Sequence, residues 1–312
     1  MHDYRKIEGT AQGTTYTITF DANEKRFVKS DADSIFRIMD QSMSLWDSTS
    51  IISKFNKSLS SQIIDEHFKN VLQKSYEIYQ QSNGAFDPSI GPLIKSWGFI
   101  RKNDLPLPTD QTIDSLKQLI GLDKVSLAEN KVVKKIAAIQ LDFNAIAQGY
   151  TVDVIANHLE KLGIQNYLVE VGGEVRAKGK NKEGDHWKIG IEKPTRNETE
   201  EQNELQLVVA VNNMSLTTSG NYRNFIQKDG KYLSHIVDPK TGKPVENTIV
   251  SVSVLAPTCM EADAWDTAFM VLGKEKSLEV AKKLGLEFQM VSVGKNNDFE
   301  VFQTEGFKKM IQ

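Results

Sequence analysis

The sequence has 312 residues, enough to bury a full core without disulfides or a structural metal. Its 38 Lys and Arg against 41 Asp and Glu leave a formal net charge of -3, which excludes the broad basic footprint of a nucleic-acid binder. The single cysteine, Cys259, excludes an intramolecular disulfide and a multi-thiolate zinc site, and no apolar run approaches the roughly 18 to 20 residues of a membrane span.

The chain opens β then α. Thr14 to Phe20 alternates like a half-buried strand, and Asp31 to Met43 sets Ile35, Ile38, Met39 and Met43 at helical spacing behind a cap at Asp31 or Asp33. Phe68, Val71, Leu72, Tyr76 and Tyr79 form a second helical stripe that stops at Asn83-Gly84, so AFDPSIGP reads as a loop fixed by its prolines and glycine. Asn103 to Asp110 is a surface connection, and Ile113 to Ile120 a short amphipathic helix. Thr151 to Leu162 places Val152, Ile155, Ala156, Leu159 and Leu162 on one face and ends at Gly163; YLVEV then runs as a strand into Gly172-Gly173.

Two further strands, WKIGIE and LQLVVAV, flank a solvated acidic stretch, Asn197 to Glu204. Val250, Val252 and Val254 alternate with serines in a strand, and Thr258 with Glu261 makes a capping box that opens a helix. A last helix near Leu278 to Leu284 and a strand near Phe288 to Val293 close the chain. With no fixed-period repeat and no regular βαβ alternation, the fold class is α+β, and residues 1–312 are expected to form one domain, with two closely packed halves as an option.

Three clusters carry chemistry. On the capped helix, Trp265, Ala268, Phe269 and Leu272 define the apolar face, while Asp263 and Thr267 stand four residues apart opposite it. A carboxylate and a hydroxyl on one face suit a hard cation such as magnesium, although a simply solvated polar face fits the same spacing. In LDFNAIAQGY, Asp142 precedes a small-residue turn leading into the helix that begins near Tyr150, where free amide groups suit phosphate. SLTTSGNYRNF is a hydroxyl-rich turn, and HIVDPKTGKPV begins at His235, either a substrate-loop residue or a surface histidine capping a turn. His67, His158 and His186 lie in polar surroundings and read as surface residues.

Six segments, in order, resemble the ApbE family, the FAD:protein FMN transferases: GTTYTITF; MSLWDSTSIISKFN; FDPSIGPLIKSWGF; LDFNAIAQGYTVD with YLVEVGGEVRAKG; TTSGNYRNF with HIVDPKTGKPV; and APTCMEADAWDTA. The resemblance covers nearly the whole chain. It implies an α+β fold with the flavin site between two halves, FAD as bound substrate, and Mg2+ held by Ala145, Asp263 and Thr267. Flavin contacts are implied at Trp46, Ala85, Phe86, Asp87, Asp142, Gln148, Ser219 and the stretch from His235 to Val237.

The implied reaction cleaves FAD and places FMN on a threonine or serine hydroxyl of another protein, with AMP leaving. Asp263 acts through the metal, and His235 is the base, its ordinary pKa of roughly 6.5 suiting proton transfer near neutrality. Hydrolysis of FAD to FMN and AMP, or FAD storage without catalysis, are the alternatives. Acceptors are expected among flavoprotein subunits of membrane electron-transport complexes or extracellular reductases. The location expected is periplasmic or otherwise extracytoplasmic, with a lipoprotein anchor upstream of Tyr4 in the full-length form. The chain departs from the family pattern at Gln12 (usually Met), Trp46 (usually Tyr), Ile51 (commonly Glu) and Gln148 (commonly Lys). The last removes a positive charge, so that either turnover is slower or another cation, Lys54 or Arg223, compensates.

Overall fold

The computed structural model describes residues 3–22, 26–99, 106–194, 205–220, 225–228, 231–294, 296 and 298–312, and of residues 205, 225–228 and 231–233 the backbone alone. Its centre is an eight-stranded sheet whose strands follow one another in chain order: Tyr4–Ala11, Thr14–Asp21, Tyr167–Val171, Glu174–Lys178, Met214–Gly220, Ile249–Ala256, Glu287–Val293 and Phe299–Gln303. Every neighbouring pair is antiparallel. The architecture is α+β.

The alternation in the sequence explains why both faces of this sheet are covered. Tyr16, Ile18 and Phe20, Tyr167, Val169 and Val171, and Val252, Val254 and Ala256 point into the main core. There they meet two helices, Ala147–Lys161 and Cys259–Leu284, which pack on the sheet and on each other. On the opposite face Leu216 and Leu255 join Trp187, Ile191, Val209, Val211 and Phe307 in a smaller core, under the hairpin of Trp187–Glu192 and Leu205–Val211.

Local chemistry sets most element ends. The Thr258 hydroxyl accepts from the Glu261 amide, a contribution of about 1 kcal/mol, and donates to the Glu261 carboxylate at 3.0 Å, so the expected box is linked back through the hydroxyl and not through the Thr258 amide. Gly285 ends that helix in the left-handed region, with φ 69°. Helix Lys29–Met43 begins two residues earlier than its apolar pattern suggests: the Asp31 carboxylate accepts from the Val28 amide at 2.9 Å, so Asp31 sits inside the first turn and caps from there. AFDPSI is a loop as expected, yet GPLIKSW then forms a helix, Gly91–Trp97, because proline is compatible with a helix's first turn.

Two expectations are corrected. SLTTSG is strand, within Met214–Gly220, where pairing on both sides outweighs a turn-prone composition. The segment near Leu278 to Leu284 continues the capped helix, interrupted only at Gly273, whose φ of 77° and ψ of 172° break the helical path. The acidic stretch Asn197 to Glu204 lies outside the described residues.

Asp153, buried in the middle of helix Ala147–Lys161, joins the layers. Its carboxylate accepts from the Cys259 and Met260 amides at 3.0 and 2.9 Å, at the start of the long helix, and from Arg176 at 2.7 Å on the sheet. Arg176 and Lys178 also bind Glu160, about two turns further along the same helix. Asp153→Ala strands two helix-start amides and a largely buried guanidinium, and is expected to destabilise the fold by about 3 to 5 kcal/mol, read as a lower urea midpoint.

Candidate active site

The loops and strand ends on one side of this scaffold enclose a cavity of 660 Å³. Its wall includes Ala85, Phe86 and Asp87 from the loop before the Gly91–Trp97 helix, and Asp142 and Ala145 from the turn before Ala147–Lys161. Ser219 enters from the sheet, His235 and Val237 from the lead-in and first strand of a short hairpin loop, Val237–Asp238 paired with Lys243–Pro244, and Asp263 and Thr267 from the long helix. Ten of the residues expected at the site are thus brought together from segments up to 182 positions apart, from Ala85 to Thr267.

Each is held by local bonds. The Asp87 carboxylate accepts from the Ser89 amide (2.9 Å) and hydroxyl (2.6 Å), and the Ser89 hydroxyl accepts in turn from the Gly121 amide. The Asp142 amide donates to the Pro88 carbonyl at 2.7 Å, tying this loop to the next, while the Asp142 carboxylate accepts from the Asn144 amide. Burial pushes the carboxyl groups of both Asp87 and Asp142 upward.

The Asp263 side chain accepts from the Gly149 amide at 2.8 Å, inside the first turn of the neighbouring helix. That contact requires glycine: a Cβ at 149 would lie 2.4 Å from the Cys259 carbonyl oxygen and 2.8 Å from the Asp263 Cβ. The solvated-face reading of the capped helix therefore does not hold. Sheet and helix cover its first half on both sides, and Asp263 and Asp266 are buried. Burial raises the Asp263 carboxyl to about 7, against the pull of the Gly149 amide. Asp266, raised well above the usual range by burial and then by Asp263, accepts from Ser219 at 2.8 Å; Ser219 and Thr267 hydroxyls lie 3.1 Å apart.

Sequence reasoning missed Asp266 and Glu174. Asp266 is one turn beyond Asp263 on the same helix, and that spacing was a usable signal. Glu174 lines the cavity from a strand start, which no local pattern marks.

Trp46 and Gln148 are placed elsewhere. They line a second cavity of 740 Å³ with Gln12, Asp40, Asp47 and Asn144, and Asn144 also lines the first. Trp46 is 82% exposed. Gln12 adopts φ 52° in the turn joining the first two strands and donates to the Thr151 hydroxyl at 3.0 Å. Lys54 is exposed and lines neither cavity, and Arg223 lies outside the described residues. Of the other histidines, His186 is exposed, but His67 meets the Tyr150 hydroxyl at 3.0 Å and His158 packs on Phe27, so neither is a plain surface residue.

Ala145, Asp263 and Thr267 offer only oxygen to the cavity. Among the described residues no group of three or more His, Cys, Asp or Glu side chains is placed to hold a metal ion. A set of one carboxylate, one hydroxyl and one carbonyl with room for water or phosphate is the alternative a small hard cation accepts.

The ApbE family model matches residues 12–290. The chain belongs to the ApbE family. It is 35% identical to the FAD:protein FMN transferase of Escherichia coli (strain K12), over 98% of this chain and 88% of that one. It is likewise 35% identical to the FAD:protein FMN transferase of Haemophilus influenzae, over 98% and 91%. Among solved structures it is similar to the flavin transferase ApbE from Vibrio cholerae, with a TM-score of 0.87 at 31% identity, covering 99% of this chain and 100% of that one. The apo form of the Pseudomonas stutzeri flavinyl transferase ApbE gives a TM-score of 0.88 at 30% identity, covering 99% and 97%.

Gly149→Ala tests the helix contact that seats Asp263 in this ApbE-family chain. The added methyl has to push the long helix away, and a loss of about 1 to 3 kcal/mol is expected, measured by urea unfolding.

Proposed function

We propose that this chain is a magnesium-dependent FAD:protein FMN transferase, cleaving FAD and joining FMN to a threonine or serine hydroxyl of an acceptor flavoprotein as AMP leaves. The observation that carries the reading is the single cavity that Asp263, Thr267 and Ala145 line together with His235 and the implied flavin contacts Ala85, Phe86, Asp87, Asp142, Ser219 and Val237, in a family whose named relatives have this activity. Its wall draws on residues from 85 to 271, which supports reading residues 1–312 as one catalytic unit.

Mg2+, held by Ala145, Asp263 and Thr267, would neutralise charge on the pyrophosphate oxygens. The chain's own residues do the rest. Phe86, Ile94, Phe99 and Val271 offer an apolar wall for a flat ring system. The neighbouring 740 Å³ cavity suits the adenosine half: Trp46 presents a ring face, and Gln12, Asn144 and Gln148 present amides. Asn144, common to both cavities, then lies where the diphosphate crosses. His235 takes the proton from the acceptor hydroxyl as its oxygen attacks the FMN phosphorus and the bond to AMP breaks. The reading carries with it an extracytoplasmic, lipid-anchored location and acceptors in membrane electron-transport complexes or extracellular reductases, supported by the family resemblance.

The test is incubation with FAD, Mg2+ and an acceptor domain, reading acceptor mass and released AMP together. The acceptor is expected to gain FMN as AMP appears, with Asp263→Ala lowering both by on the order of 10²-fold or more. AMP with free FMN and an unmodified acceptor would instead mark a pyrophosphatase, and neither product would mark FAD storage. Gln148→Lys, restoring a cation beside the diphosphate path, is expected to raise the transfer rate; an unchanged rate would show that charge is not limiting there.

A pH dependence follows from Asp263, whose carboxyl rises from 3.8 to about 7 on folding. Between those values the folded chain holds a proton the unfolded chain has released, so cation-free stability falls as pH rises through that window. A cation must displace the same proton. The rise in Tm produced by Mg2+ is therefore expected to be larger at pH 8 than at pH 6, measured by thermal unfolding at both.

A further inference from the structure

The transferase reading leaves one carboxylate of the main cavity without a task. Glu174 begins the strand Glu174–Lys178, immediately after the Gly172-Gly173 turn, and its side chain lines the cavity together with Ala145, Ser219, Asp263 and Thr267. Register holds it in place: Val175 stands opposite Leu216 on the strand that carries Ser219, and the helix bearing Asp263 packs on the strand of Glu174.

Its charge is not balanced locally. Among the described residues its carboxylate makes no hydrogen bond or ion pair. The basic residues of its own strand are committed elsewhere, Arg176 to Asp153 and Glu160, and Lys178 to Glu160. Burial, then the negative charges of Asp263, Asp266 and Glu170, push the Glu174 carboxyl well above the usual carboxylate range. A carboxylate in that setting needs a cation or a hydrogen-bond donor before it can be ionised at little cost. Glu174, Asp263 and Asp266 are nonetheless not placed to hold one ion directly. A bound water is the donor that fits between a cavity-wall carboxylate and a cation seated on Asp263, since cations of the magnesium class keep several waters.

We propose that Glu174 is a positioning residue for the divalent cation, its carboxylate accepting hydrogen bonds from water on that cation without binding the cation itself. This rests on the transferase reading of the Asp263 site. Outer partners of this kind change metal affinity by about 10- to 100-fold when removed.

The test titrates Mg2+ into cation-free, flavin-free protein by calorimetry, comparing the unaltered chain with Glu174→Gln and Glu174→Asp, and records the cation-free Tm of each at pH 8. Glu174→Gln is expected to bind Mg2+ roughly 10- to 100-fold more weakly while its cation-free Tm stays level or rises, because a charge leaves a like-charged wall. Glu174→Asp, which keeps the charge, is expected to recover part of the lost affinity. Affinity within twofold of the unaltered chain for Glu174→Gln would overturn the inference and leave the transferase reading standing. A cation-free Tm lowered by Glu174→Gln and restored by Glu174→Asp would make Glu174 a structural residue and also overturn it. Absence of Mg2+ binding by the unaltered chain would overturn the inference and the metal part of the functional reading together.

Discussion

The close approach of two helices at Gly149 governs this structure. Because no side chain stands at that position, the carbonyl of Cys259 and the side chain of Asp263 come within contact of the first turn of Ala147–Lys161, and the Gly149 amide becomes a donor to Asp263. The same crossing is clamped one turn further along by Asp153, which holds the start of the long helix by two amides and the sheet by Arg176. The wall of the main cavity inherits its rigidity from these two contacts. Carboxylates buried this way are costly unless something positive or a hydrogen-bond donor meets them.

A second constraint is topological. In an antiparallel meander, successive turns alternate between the two ends of the sheet, so residues far apart in sequence gather at one end. The turn at 142–146, the start of Glu174–Lys178 and the end of Met214–Gly220 supply Ala145, Glu174 and Ser219 to one cavity. The hairpin loop with His235 and Val237 faces them, and Val237 and Trp97 belong to a small core of their own with Leu93, Ile113 and Ile120. The Trp97 indole donates to the Gly242 carbonyl at 2.9 Å, fastening that loop from behind.

Much of this was legible in the residues. The strand Thr14–Asp21 and the helix Glu66–Gln81 follow their periodicity because each buries one well-defined face, and Ile249–Ala256 follows its valine alternation although both of its faces are covered. The Thr258 box was legible because capping is local chemistry. Asp263 was legible as sharing a helical face with Thr267 but not as a buried residue: spacing reports which residues share a face, and tertiary packing decides whether that face meets water. Met214–Gly220 failed as a turn for the same reason: Ser215 to Gly220 pair with Ile249–Ala256, and Met214 to Leu216 also with Glu174–Lys178. Gln148 and Trp46, expected among the flavin contacts, line the adjoining cavity, which shares Asn144 with the first.

The break at Gly273 divides the long helix into parts with different obligations. The carbonyl of Met270, just before the break, is met by the Asn247 side chain at 2.7 Å, so the segment bearing Asp263, Asp266 and Thr267 is closed off at both ends, by Thr258 and by Asn247. Twisting of residues 274–284 is absorbed at a single glycine and does not pass along a continuous hydrogen-bond ladder to the cavity. The rear segment keeps Ser277 and Ala281 buried against the core, so whatever it offers an outside surface rests on its exposed residues, such as Lys276, Glu279 and Lys283, which lie beyond the break from the cavity.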